Sequence, residues 1–187
     1  MNHFVKIASG IDVAPLLLAL QQQPRLWNQV PDRTGNPQSP HFGSDDILLR
    51  YNCSYTDHRE CCVFPAWAHL PQAHGLTFAL MTYLQGTRLG RVIITRIHPG
   101  DTIPAHADIG KLPLHYDTVR YYNRYHLCLQ ASPGTWFRVE DERVEMQPGD
   151  IWWFDNALEH EVHNPGPAER LHMIIDINTE SAAYATD

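Results

Sequence analysis

The sequence predicts a mainly β domain, a sandwich or barrel, with a helical lead-in. Three observations carry that reading. After Leu89 the chain becomes a series of short β-rich runs separated by turn residues such as Ser132-Pro-Gly134 and Pro148-Gly-Asp150. Before it, apolar runs at Leu16–Leu20 and Gly75–Leu84 suit helices. A length of 187 residues with 43% hydrophobic content is enough to bury one core. We read residues 1–187 as one domain: a helical and loop region over 1–88, a β core over 89–178 and a short tail over 179–187.

Taken in order, Phe4–Ile7 reads as a strand and Asp12 as the cap of a helix with Pro15 in its first turn. That helix runs to about Gln22 and stops before Pro24. Trp27–Gly43 is a long loop, Asp46–Tyr51 a strand, and residues 53–75 are irregular. Gly75–Leu84 is read as a helix with Gly86 near its end. Strands follow at Arg91–Ile97, Asn123–Leu129 and Ile151–Phe154, with a hairpin of Trp136–Glu140 and Arg143–Met146 through Asp141-Glu142. The last pair lies around His160–His163 and Arg170–Ile177. Strand parity groups Arg124, His126 and Cys128 on one face, and Arg170, His172 and Asp176 on another. A solvated sheet would put these polar faces outward. A barrel with a polar interior, covered outside by the N-terminal helices, would turn them inward, and the repeated arginine and histidine favour it.

A net charge of −7 argues against nucleic acid, whose affinity comes from neutralised phosphates. No run is long and apolar enough for a bilayer and no secretory signal is evident, so a soluble, cytoplasmic protein with no membrane partner is expected. Cys53, Cys61, Cys62 and Cys128 match no zinc spacing and are read as reduced thiols.

Twelve histidines raise the prior for a metal site. His106 and Asp108 stand two apart after a Pro-Gly turn, and His160 and Arg170 follow far downstream. Two histidines and one carboxylate can hold one face of Fe(II) and leave the other open, while an arginine offers a fork to a cosubstrate carboxylate. His115-Tyr-Asp117 is a second copy of the His-x-Asp pattern, read as a loop histidine. His163 is read as exposed, and His41, His58, His69 and His74 as ordinary loop histidines. Trp152 and Trp153 are read as core.

The stretch from about Arg91 to Asp176 resembles the aspartyl/asparaginyl β-hydroxylase family of Fe(II)/2-oxoglutarate oxygenases. The likeness is carried by His98-Pro-Gly100 leading to His106, Arg124-Tyr-His126, Phe154-Asp155, Glu159-His-Glu-Val162, Arg170-Leu171 and Ile175-Asp176. It implies a double-stranded β-helix, a cupin-like jelly-roll, with His106 and His160 on iron. Arg170 with Thr95 would hold the distal carboxylate of 2-oxoglutarate, and Arg124 with His126 its other end. The peptide-hydroxylating members have glycine where Asp108 stands, so Asp108 completes the triad and an aspartyl or asparaginyl peptide is not assumed as substrate. The implied activity is hydroxylation of an amino acid or a peptidyl residue, with O₂ and 2-oxoglutarate consumed. Two rivals are a cupin-type metalloenzyme without 2-oxoglutarate and a non-catalytic jelly-roll binding a small acid or a protein. One or both of the loops Pro31–Gly43 and Ile109–Asn123, the latter with Tyr116, Tyr121 and Tyr122, are expected to form the pocket mouth, the alternative being that both are surface connections.

Overall fold

The computed structural model describes residues 2–53, 60–108 and 121–179. In order, its elements are β1 (Phe4–Ala8), α1 (Ala14–Gln22), β2 (Asp45–Asn52), β3 (Cys61–Val63), α2 (Ala66–His69), α3 (Pro71–Tyr83) and β4 (Arg88–Ile97). Then come β5 (Thr102–His106), β6 (Asn123–Gln130), β7 (Trp136–Val139), β8 (Glu142–Val144), β9 (Ile151–Phe154), β10 (His160–His163) and β11 (Arg170–Asn178).

The strands form two antiparallel sheets. The larger has the order β1-β9-β6-β11-β4-β2-β3 and the smaller β5-β10-β7-β8. From β4 onward the chain crosses between the sheets at every step except the β7–β8 hairpin, winding as a jelly-roll. Between the sheets lie Ile97, Ile103, Phe137, Val139, Phe154 and Val162, an apolar floor beneath the polar pocket. The outer face of the larger sheet buries Tyr125, Leu127, Leu171, Met173 and Ile175 against Leu16, Leu20 and Leu80 of the helices. Strand parity therefore resolves toward the barrel reading. Arg124, His126, Arg170, His172 and Asp176 are all buried, and their apolar neighbours on each strand supply the helix-covered face.

Most sequence-predicted elements lie within a few residues of their observed bounds, including β9, which matches at both ends. The carboxylate of Asp12 accepts the Ala14 N–H at 3.1 Å, and Pro15 sits in the first turn of α1. Residues 60–75, the described part of the stretch read as irregular beyond residue 53, differ from expectation. They hold β3, α2 and the start of α3, short elements with little periodicity that take shape by docking on β2, as when the Phe64 N–H donates to the Leu49 carbonyl. In the hairpin, the turn falls earlier, at Glu140-Asp141, with Glu140 at φ 49°.

Candidate metal and cosubstrate site

His106 ends β5 and pairs directly with His160 at the start of β10. Their rings lie 4.3 Å apart. With Asp108, just past the end of β5, they offer ligand atoms that all lie within 4.8 Å of one another. Each histidine is oriented by the backbone. His106 Nδ1 is 2.8 Å from the Pro104 carbonyl and His160 Nδ1 is 2.9 Å from the Leu158 carbonyl. A carbonyl only accepts, so each Nδ1 carries the proton and each Nε2 presents a lone pair. Burial lowers the pKa of His160 to about 4, so the ring is neutral and ready to ligate.

Asp108 is held from behind. The Arg124 guanidinium and Asn156 Nδ2, the latter at 2.9 Å, both donate to Asp108 Oδ2, leaving Oδ1 for a metal. Burial alone would raise the Asp108 pKa, but Arg124, His160 and Asn156 bring it far below the usual carboxylate range. Arg124 is fixed in turn by Asp176, with Nε to Oδ1 and Nη2 to Oδ2 both at 2.8 Å. Its fork is spent on Asp176 and its remaining nitrogen reaches Asp108. The donor set of two imidazoles and one ionised carboxylate, all on one pocket, fits a divalent metal of the non-heme Fe(II) type.

Arg170 opens β11 and is 3% exposed. Its Nη2 donates to His172 Nδ1 at 3.1 Å, and its guanidinium carbon lies 5.9 Å over the Phe137 ring. No carboxylate pairs with it among the described residues, and burial lowers its pKa to about 10. Among the described residues, His126 Nδ1 and His172 Nε2 are buried without a hydrogen-bond partner, and burial with the Arg170 charge keeps both rings neutral. Thr95, opposite His172 in the β11–β4 pairing, lines the same pocket. A buried cation with orphaned polar atoms beside it is a fitting place for an organic carboxylate.

All seven candidate residues, His106, Asp108, His160, Thr95, Arg124, His126 and Arg170, line this one pocket. His163 does not; it stacks edge-on against Trp136 at 5.3 Å. His115 and His58 lie outside the described residues. His69 and His74 sit in α2 and α3 rather than loops. His41 corrects the sequence reading most. The loop before β2 folds back over the site and puts the His41 ring 5.1 Å from His106, with Arg33 beside it on the pocket wall. No spacing signals this, because the loop has no periodicity to project a side chain. Asn156 and Asp176 were also unassigned; only the position of Asp176 on the inward face of β11 hinted at it. Tyr121 and Tyr122 are not part of the pocket wall: Tyr122 packs against Gly90 and the Arg88 guanidinium reaches the Tyr121 hydroxyl at 3.4 Å. Tyr116 lies outside the described residues. The Trp153 side chain joins the helix-side core, as expected.

The two-sheet fold and its triad define a jelly-roll with a candidate metal site. Residues 55–180, well over half of the chain, match the family described as Aspartyl/Asparaginyl beta-hydroxylase, and the chain belongs to that family. It is 28% identical over 122 residues to L-proline cis-3-hydroxylase 2 of Streptomyces sp, a match covering 65% of this chain and 40% of that relative. The chain thus spans under half the length of the proline hydroxylases it matches. Among solved structures it resembles a 2OG-Fe(II) oxygenase family oxidoreductase from Burkholderia pseudomallei, with TM-score 0.62 and 17% identity over 94% of this chain and 84% of that one. It also resembles a Pseudomonas putida prolyl-4-hydroxylase, with TM-score 0.54 and 15% identity over 97% and 95%. These likenesses show the fold. Among the described residues, no helix is long and apolar enough to cross a membrane.

Proposed function

We propose that this protein is an Fe(II)/2-oxoglutarate-dependent dioxygenase that hydroxylates an unactivated C–H bond of an amino acid or peptidyl residue. The observation that carries the reading is Arg170, a buried guanidinium with no carboxylate partner among the described residues, on the wall of the pocket that holds His106, Asp108 and His160. A metal site alone would suit any cupin. An unpaired buried cation beside it calls for an anionic cosubstrate, and the two prolyl or proline hydroxylase likenesses support the same chemistry.

When bound, iron with 2-oxoglutarate and O₂ supplies the oxidation: one oxygen atom enters the substrate C–H and the other enters succinate, with release of CO₂. The chain's own residues do the rest. His106, Asp108 and His160 would hold the metal, and Arg124 with Asn156 fixes one oxygen of Asp108 so that the other is left free to ligate. Arg170, supported by His172 and with Thr95 nearby, takes the distal carboxylate of 2-oxoglutarate in a buried setting where the ion pair is strong. His126 would face the other end of the cosubstrate; Arg124, with all three nitrogens engaged by Asp176 and Asp108, would act through Asp108 and not on 2-oxoglutarate. Phe137, Phe154, Ile97 and Val162 keep water from the reacting centre.

The test is conversion of 2-oxoglutarate to succinate that depends on Fe(II). His106→Ala and His160→Ala are expected to abolish it, while His163→Ala stays active. Arg170→Ala should retain iron but raise the 2-oxoglutarate requirement about 100-fold or more, since breaking a buried pair costs about 3–5 kcal/mol. An unchanged requirement would remove this role and favour a metalloenzyme that uses no 2-oxoglutarate.

A further inference from the structure

We propose that Arg33 and Asp46 form the prime-substrate subsite, and that they take a free, net-neutral α-amino acid, its carboxylate on Arg33 and its ammonium on Asp46. The inference rests on the metal and cosubstrate assignments above and names the substrate class of the same site.

Asp46 lies opposite Thr95 in the β2–β4 pairing, so both side chains leave the inner face of the larger sheet together. Thr95 lines the pocket. Asp46 is 2% exposed, yet neither carboxylate oxygen accepts a hydrogen bond among the described residues. Its partner is Arg33, whose Nε stands 3.3 Å from Oδ2 without making a hydrogen bond. Arg33 makes no other ion pair or hydrogen bond among the described residues. This contrasts with Arg124, whose fork is saturated by Asp176. A buried carboxylate normally gathers donors, because losing its hydration is costly. A loosely met ion pair at the edge of a catalytic pocket is therefore one that a ligand with both charges can part and satisfy.

Charge balance selects the ligand. Arg33, Arg124, Arg170 and Asp108 line the pocket, while Asp46 and Asp176 lie outside its lining as the partners of Arg33 and Arg124, so three guanidiniums are set against three carboxylates. A divalent metal and the dianion 2-oxoglutarate cancel each other. A zwitterion then leaves the site neutral and gives Arg33 and Asp46 a partner each. A peptide segment brings no charge to either, and free aspartate or lysine brings one charge too many. The free cavity over the triad is about 40 Å³, room for a water and not for an amino acid, so Arg33 and the His41 ring must move aside to admit one.

The test is titration calorimetry with free neutral L-amino acids, L-proline first, alongside their N-acetyl and carboxamide forms, L-aspartate and L-lysine. It is run on the metal-free protein and on protein loaded with Zn(II) and 2-oxoglutarate. At least one neutral amino acid should bind, with either blocked form at least tenfold weaker. Arg33→Gln should erase discrimination against the carboxamide, and Asp46→Asn should erase discrimination against the N-acetyl form. A role in folding alone would not produce that crossed pattern. Should a single variant fold poorly by circular dichroism, the double variant Arg33→Gln/Asp46→Asn leaves no lone buried charge and should lose both discriminations. The proposal is overturned if blocked forms bind as well as free ones, if no amino acid binds, or if Arg33→Gln weakens 2-oxoglutarate more than the amino acid. Amino-acid binding without Fe(II)-dependent succinate formation would refute the oxygenase reading and keep this subsite; succinate formation without amino-acid binding would do the reverse.

Discussion

At the scale of single residues, the site works by removing freedom from its ligands. His106 and His160 each turn Nδ1 to a carbonyl two residues upstream, at 2.8 and 2.9 Å, which settles both tautomers before a metal arrives. Asp108 has one oxygen held by Arg124 and Asn156. Partners of this kind typically contribute 10–100-fold to metal affinity. Asn156→Ala should therefore weaken Fe(II) binding by about that factor in an anaerobic titration, without abolishing it as His106→Ala does. Arg170→Lys keeps a charge but loses the planar fork and the bond to His172 Nδ1. It should raise the 2-oxoglutarate KM at least tenfold while iron affinity stays close to that of the parent.

At the scale of elements, the ligand-bearing strands are tied at their far ends by Asn164, which is fully buried. Its Nδ2 lies 3.0–3.1 Å from the carbonyls of Ile97, His98 and Ala168, and its Oδ1 accepts from the Thr135 hydroxyl at 3.0 Å. One side chain thus joins the end of β4, the turn between β6 and β7, and the connection from β10 to β11. Leaving several buried polar groups unpaired costs about 2–3 kcal/mol, so Asn164→Ala should lower Tm by roughly 5–10 °C. Gly149 ties the turn before β9 to the N-terminal lead-in, since the Ile11 N–H donates to its carbonyl at 3.1 Å. It sits at φ +84°, and a Cβ there would come 2.7 Å from the Ile11 carbonyl oxygen. Gly149→Ala should cost about 1–2 kcal/mol from the left-handed backbone alone, with the clash adding to that, and a urea melt would read it.

At the scale of the whole molecule, burying neutral histidines makes stability depend on pH. Burial, with the Arg170 charge nearby, holds His126 and His172 well below 6.5. The unfolded chain takes up protons as pH falls through about 6.5, whereas the native state does not until much lower. Their contribution is therefore complete above pH 6.5 and is lost as pH falls through that value toward the folded pKa values. The slope is up to about 1.4 kcal/mol per pH unit for each histidine. Urea midpoints of the metal-free protein should drop between pH 7.5 and 5.5, and His172→Gln should flatten the drop by up to one proton; an unchanged slope would remove His172 from the account.

Much of this was legible in the sequence because it is periodic. Alternation along β6 and β11 separates Arg124, His126, Arg170 and Asp176 from Tyr125, Leu127, Leu171 and Met173, and two-residue spacing with a turn before it marks His106 and Asp108. Which way each alternating face points is decided only by packing: once α1 and α3 cover the apolar face, the polar one has to turn inward. The partners of the site residues are also a matter of tertiary structure alone. Arg124 meets Asp176 across 52 residues of chain and Asn156 meets Asp108 across 48. Arg33 and His41 reach the pocket from a loop whose sequence carries no period. Regular elements follow from local preference repeated along the chain, whereas a loop's position is set by what it closes against, and here that is the charged mouth of the barrel.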